Sequence, residues 1–317
     1  MTPERSVVER PEGARQRTSS AGRRRRRVSY VAYAFVLPGF GLYALIVLYP
    51  AVQTFLLSMR NWNIVPGQPS PWVGFANYLQ LIHDPVFLDS VVNSVFYTAA
   101  TVPLQIVIGL GLAVLLDSKL PGRVVFRVIF YLPVVTSWVV VSLLFQYIFG
   151  SDDSLANAVF VNMLHLAPHN VDWLGNRWTG LVSIAALGVW KGVGWSMLIF
   201  LAALTAVPRE LHEAAAIDGA GAWARFRNVS LPAIRPATLV VVLLLIMGGF
   251  QVFISVLLMT GGGPNNATQV PLTYMYTQAF ANYNFSYGSA ISFALTILVL
   301  VLSAAQYAWT RSRTKGA

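Results

Sequence analysis

The sequence predicts an all-α polytopic membrane protein with six transmembrane helices, and three observations carry that prediction. Apolar residues make up 56% of the 317-residue chain and charged residues only 11%, with a mean hydropathy of +0.60, whereas soluble domains run at about 25% charged. Six stretches reach the roughly 20 apolar residues that a helix needs to cross a hydrocarbon core: 31–57, 92–116, 125–149, 180–204, 237–259 and 287–309. Together they hold only two charged side chains, Arg127 and Lys191. The net charge of +10 is therefore segregated outside the spans, so the lipid bilayer is an expected partner and a nucleic-acid-binding face is not. Cysteine is absent, which excludes disulfides, thiol nucleophiles and Cys-ligated metal.

Residues 1–28 form a basic tail with Arg5, Arg10, Arg15, Arg17 and the run Arg23 to Arg27, and their composition predicts disorder. A basic run before an apolar stretch also describes a signal peptide. The first span is too long for that, lacks a small-residue cleavage site, and reads as a retained anchor. Lys and Arg mark cytoplasmic segments. With the tail inside, Lys119, Arg123 and Arg127, then Arg209, Arg225, Arg227 and Arg235, then Arg311, Arg313 and Lys315 all fall inside, against Arg60 and Arg177 outside. Both termini are therefore expected in the cytoplasm.

Residues 29–313 read as one transmembrane domain. Pro38, Pro50, Pro103, Pro133, Gly248 and Gly249 lie inside spans and predict kinks, which neighbouring helices in a membrane accommodate. The outer loops, near 59–91, 150–179 and 260–286, are rich in Trp and Tyr, as interface anchors or a docking surface. Asp84, Asp89, Asp152, Asp153 and Asp172 predict an acidic outer face. His83, His165, His169 and His212 lack ligand spacing, so no metal site is expected.

The inner loop, 205–236, carries the most informative pattern. Pro208 suits a first helical turn, Glu210 and Glu213 oppose the N-terminal dipole, and Ala214, Ala215 and Ala216 are strong helix formers. A helix over 209–217 follows. Gly219 supplies a left-handed stop, and a second helix over 221–229 is expected to end before Leu231-Pro232. The small side chains leave a smooth cytoplasmic elbow that another backbone could approach.

Glu213-Ala214-Ala215 with Asp218-Gly219 and, further on, Leu231-Pro232 closely resembles the EAA loop of permease subunits in binding-protein-dependent ABC importers. Val229 stands where that pattern has Ile, a conservative departure. Leu37-Pro38, Tyr49-Pro50 and Leu57-Ser58, the stretches Val73 to Tyr78 and Asp84 to Phe87, and Thr260 to Pro264 resemble the carbohydrate branch of the family. The resemblance covers about residues 30–310. It implies a coupling helix that sits in a groove of a cytoplasmic ATPase dimer, with Glu213, Ala214, Ala215, Asp218, Gly219, Leu231 and Pro232 as the coupling residues. It also implies a second homologous permease subunit and an extracytoplasmic solute-binding protein. This chain has no G-x-x-x-x-G-K-[ST] phosphate loop. It is expected to be non-catalytic and to bind no cofactor, the ATP and Mg being used by the partner ATPase.

A substrate path is expected where Trp190-Lys191-Gly192-Val193-Gly194-Trp195 meets Gly248-Gly249-Phe250-Gln251-Val252. Resemblance to maltose-type permeases points to Lys191, Gly192 and Trp195 on span 4 and to Gly248, Gly249 and Val252 on span 5. A lysine in mid-span faces a polar path or a fixed partner such as a carbonyl. Gly188 and Gly192 form G-x-x-x-G, a close helix contact. A sugar is the expected cargo and glycerol 3-phosphate the alternative, which the acidic outer face and the lack of an Arg cluster disfavour. An ion-coupled carrier would need carboxylates in the spans, and none is there. A membrane-embedded enzyme would need paired carboxylates or a nucleophile–base set, also missing.

Overall fold

The computed structural model describes residues 30–65, 67–118, 121–150, 154–166 and 168–314. The basic tail, Lys119, Asp152, Asp153 and Lys315 lie outside the described residues. All regular structure among them is helical, apart from one isolated bridge between Arg60 and Trp72. Five helices are long and apolar enough to span a membrane, and a sixth span is obtained if one bent pair counts as one. The chain divides into two compact units, Met1–Pro50 and Ala51–Ala317.

In the first unit, α1 (Tyr30–Tyr43) runs through Pro38 without a break. It passes into a widened π-helical turn over Ala44–Leu48, where the Tyr49 N–H reaches the Ala44 carbonyl, five residues back. That widening relieves the steric conflict that a proline imposes on the carbonyl four residues before it, and Pro50 follows directly. Helix α2 (Tyr49–Ser58) continues the chain into the second unit.

In the second unit, α3 (Ala76–His83) turns at Asp84 into α4 (Pro85–Asp117). At 33 residues, α4 is about 50 Å long at 1.5 Å per residue, well beyond the roughly 30 Å hydrocarbon core. Pro103 lies inside it. Helices α5 (Arg123–Val135) and α6 (Trp138–Phe149) follow, then α7 (Leu155–Asn157) with a π turn to Met163. The stretch read as one span over 125–149 is thus two helices bent by 94°. Pro133 cannot donate an amide, and Thr136 leaves the helical conformation at φ −72°, ψ 152°.

Helix α8 (Arg177–Thr205) is the centre of the unit: 61% of its apolar window is buried, against 33% for α4, for Arg235–Met259 and for Phe285–Ala308. Its small residues set the distance to its neighbours. A Cβ on Gly188 would strike the Tyr97 hydroxyl and one on Gly192 the Gln105 amide, so the G-x-x-x-G stripe receives two polar side chains of α4. Opposite it, Gly109 of α4 lies against Ser196.

After the elbow, α12 (Arg235–Phe250) and α13 (Ile254–Met259) are separated at Gln251–Phe253, so the fifth span is also interrupted. Helix α14 (Pro271–Tyr276) with a π turn to Ala281 leads to α15 (Phe285–Thr314).

At the end of the unit remote from the elbow, Asp84 ties three elements together. Its carboxylate caps α4 through the Val86 and Phe87 N–H groups and accepts the hydroxyls of Tyr274 (2.6 Å) and Tyr287 (2.5 Å). Partial burial pushes the carboxyl up, but the two phenols and two amides outweigh it, and Asp84 ionises below the ordinary carboxylate range. Such a depressed group stabilises the fold above its unfolded-state value of 3.8, and the contribution is lost as pH falls through the lower folded value. Asp84→Leu is therefore expected to lower the thermal midpoint at pH 7. The difference from wild type should close only in acid below that value, and a constant difference down to pH 2 would contradict the linkage.

The predicted acidic face is reduced accordingly. Asp89 pairs with Arg177 at 3.0 Å and Asp172 accepts the Gly175 N–H. The same arginine donates to Asn93, whose amide holds the Ala267 and Gln269 carbonyls.

Candidate functional site

Two features of the second unit are built for interaction. The first is the elbow. Helix α9 (Arg209–Ile217) forms where the sequence predicts it, with Pro208 as its cap residue rather than in its first turn. Gly219 has φ +80°. The Ala220 N–H bonds the Ala215 carbonyl and the Gly219 N–H the Ala216 carbonyl, the paired closure of a Schellman cap.

The following helix does not stop before Leu231-Pro232. Helix α10 (Ala222–Arg225) widens into a π turn over Phe226–Ser230 and runs on as α11 (Leu231–Ala233). Ser230 and Leu231 keep helical dihedrals, so the wide turn carries the chain past Pro232, which has no amide to donate, without a stop.

No residue of α9 is buried. Ile217 is 88% exposed and Trp223 70%. Glu213 and Asp218 make no ion pair among the described residues. The elbow therefore offers small apolar surface, two large exposed apolar side chains and negative charge without an ion-pair partner, with Ala215 and His212 half-covered.

The second feature is a pair of adjoining cavities between α4, α6, α8 and α12, of about 240 and 370 Å³, sharing Tyr97, Trp138 and Gly248. Lys191, Gly192, Trp195, Gly248 and Gly249 line the first, and Gln251, Val252, Phe253 and Ser255 the second. Two residues expected on the path lie elsewhere. Trp190 packs on Phe145 and faces a separate apolar groove of about 830 Å³. Phe250 is buried against Leu295 and Val299. The reason is helical period: positions 188, 191, 192 and 195 share one face of α8, and Trp190 is about 100° away from Lys191.

Tyr97, Thr101, Gln105 and Trp138 line the first cavity and were not singled out by sequence. A signal was available. Ser90, Asn93, Ser94, Tyr97, Thr98, Thr101 and Gln105 recur every three or four residues along α4, and all are buried, a polar stripe on an otherwise apolar helix. Among the described residues, the Tyr97 hydroxyl and the Gln105 and Gln251 amides make no hydrogen bond. Ser255 Oγ is buried and unpartnered.

Lys191 is the single cation in this region, and it is spent. Only 3% exposed, its ammonium donates to the Thr136 carbonyl at 2.6 Å, the Pro133 carbonyl at 2.7 Å and the Val134 carbonyl at 3.3 Å. It also sits 4.9 Å from the Trp138 ring centroid. Those carbonyls are the end of α5 at the 94° break, a site where a cation offsets the helix dipole and satisfies orphan acceptors. Of the two readings open for Lys191, a polar path and a fixed carbonyl partner, the carbonyl pairing is present, and the side chain also lines the first cavity. Through that pairing the break, and with it the Trp138 wall of the cavity, is held in place.

Long apolar helices around a cavity lined by rings, amides and hydroxyls, with an exposed helical elbow between two of those helices, fit a membrane transport component. The family described as binding-protein-dependent transport system inner membrane component matches residues 105–312, and the chain belongs to it. A probable ABC transporter permease protein, YurN of Bacillus subtilis (strain 168), is 33% identical over 87% of this chain and 94% of its own. The arabinooligosaccharides transport system permease protein AraP of the same organism is 36% identical over 86% of this chain and 85% of its own. A chain from a crystal structure of a bacterial ABC transporter involved in import of the acidic polysaccharide alginate superposes with TM-score 0.76, covering 89% of this chain and 96% of its own, at 20% identity.

Proposed function

We propose that this chain is the permease subunit that passes a carbohydrate, from a mono- to an oligosaccharide, through the membrane of an ATP-driven importer. The observation that carries the cargo class is the cavity chemistry: hydroxyl and amide groups without partners beside indole and phenol rings, with the one cation already saturated by carbonyls. Sugars present C–H faces to rings and hydroxyls to amides. A phosphate ester would need free cationic donors, of which the cavity has none. The arabinooligosaccharide and alginate systems to which the chain is similar support the same cargo class.

The elbow supplies the drive. Glu213 is free to pair with a basic group of a separate cytoplasmic ATPase, and Ala214 and Ala215 admit that protein's surface closely. Helix α8 enters the elbow and α12 leaves it, and these two helices carry Lys191, Trp195, Gly248 and Gly249 on the cavity walls. A push on α9 by an ATPase dimer closing on ATP and Mg would therefore reach the walls of the path directly, as a switch between two packed arrangements. A second homologous permease completes the path, a solute-binding protein delivers the sugar, and the elbow faces the cytoplasm with both termini, a reading that the distribution of Lys and Arg supports.

The test is uptake by the assembled transporter in vesicles, with its binding protein, of labelled arabinotriose, maltotriose, lactose, diacetylchitobiose, an alginate trisaccharide and glycerol 3-phosphate. One of the sugars is expected to be imported, and Trp195→Ala to slow it about tenfold, equivalent to about 1.4 kcal/mol, with ATPase assembly unchanged. Import of glycerol 3-phosphate alone would replace the cargo assignment. Normal uptake by Trp195→Ala would take that residue off the path.

A further inference from the structure

A row of aromatic rings leaves the second cavity and runs outward along the loop between α13 and α15. Phe253, which lines the cavity, lies 5.6 Å from Tyr276, Tyr276 5.2 Å from Phe280, Phe280 6.0 Å from Phe285, and Phe285 5.3 Å from Trp62, centroid to centroid. Each contact is tilted or edge-on, so every ring fixes the plane of the next and the row has a set relief. The Trp62 N–H is anchored on Ser286 Oγ at 2.9 Å, which pins the outer end. Three of the rings are open to the surroundings, Phe280 at 56% exposed and Tyr276 and Trp62 at 39% each, while Phe253 and Phe285 are half-buried.

The surroundings of the row are chemically distinctive. No Asp, Glu, Lys or Arg occurs between Arg235 and Arg311, so the loop 260–286 carries no charge of its own; Asp84 reaches it at Tyr274, and Arg60 lies two residues from Trp62. Specific protein docking and electrostatic steering both draw on charge complementarity. The loop offers amides and phenols instead. The Tyr276 hydroxyl has no partner among the described residues, and Asn282 donates to the Gln278 side chain at 3.3 Å in an exposed position, with Gln278 also bonded to Tyr274. Rings at near-regular spacing beside neutral donors and acceptors match an extended, uncharged glycan.

We propose that Phe253, Tyr276, Phe280, Phe285 and Trp62 form a loading track that holds a neutral oligosaccharide chain between the outer face and the cavity. The track rests on the carbohydrate reading of the cavity, and it adds a second site, outside the span, that a sugar meets first. Preformed rings lower the ordering cost of each handover, and several weak subsites let a chain slide without being trapped.

The experiment uses the complete transporter in vesicles, with whichever sugar of the panel is imported, tritium-labelled and supplied with saturating binding protein. With p-benzoylphenylalanine in place of Phe280, illumination is expected to attach the label to this chain, and excess unlabelled sugar to prevent it. Tyr276→Ala with Phe280→Ala should lower the maximal uptake rate about tenfold, and Phe280→Trp should retain it. Attachment to lipid or to another polypeptide, with none to sugar, would show that the row is a membrane or protein contact and overturn the track. If the double variant transports normally while Trp195→Ala is slow, the track fails and the cavity stands. If both transport normally, or no sugar is imported, the cavity reading falls and the track with it.

Discussion

Lys191→Met is expected to lower both the thermal stability of the permease and its uptake rate, with the loss in uptake at least about tenfold. Two effects oppose each other. Methionine removes the cost of holding an ammonium away from water, which favours the variant. It also leaves the Pro133, Val134 and Thr136 carbonyls without their donor, at about 1–3 kcal/mol for each buried acceptor left unmet. Three acceptors at one broken helix end outweigh one desolvated amine that was already well solvated by them, so the balance is destabilising. The consequence specific to transport is the loss of the Trp138 position, since Thr136 and the Trp138 ring are both held by the same ammonium. Lys191→Arg keeps the charge and the donors and should recover much of both properties. The maximal rate should fall in Lys191→Met, while the ranking of competing sugars stays the same, because the ammonium has no donor left for cargo. A changed ranking with unchanged stability would make Lys191 a cargo contact and refute its role as a cap.

Gly219→Pro and Glu213→Ala are each expected to abolish the ATP hydrolysis that the loaded binding protein stimulates, with membrane insertion of this chain intact. Proline cannot adopt φ +80°, and a non-glycine residue at such an angle costs about 1–2 kcal/mol even when it fits. Gly219→Pro therefore unravels the closure made by Ala215 and Ala216 and reorients α10. Glu213→Ala leaves the helix standing, since alanine is the better helix former, and removes only the free carboxylate. Gly219→Asn, which tolerates the left-handed region, should retain most activity. Stimulated hydrolysis that persists in both damaging variants would mean that the elbow is not where the ATPase is coupled.

The elbow was legible because its determinants are local. Glu210 and Glu213, three alanines and Gly219 fix a helix and its stop within eleven residues, and the structure has that helix over Arg209–Ile217. The apolar stretches were legible for the same reason. The cavity was less so, because its partners come from distant segments: Lys191 meets carbonyls 55 to 58 residues away. A proline within a span announces a kink but not its size, so the 94° turn after Val135 was hidden. Trp190 and Phe250 were drawn in by adjacency, where helical phase would have kept them out, and the polar stripe of α4 would have brought in Tyr97 and Gln105.

Since no side chain of α9 is buried and only His212 and Ala215 are half-covered, most of its surface can change at little cost to folding. If the elbow couples to an ATPase as proposed, selection can alter which ATPase it accepts while the residues lining the cavities stay as they are. Under that proposal the elbow and the cavity walls are separately tunable, like a standard fitting on an interchangeable body.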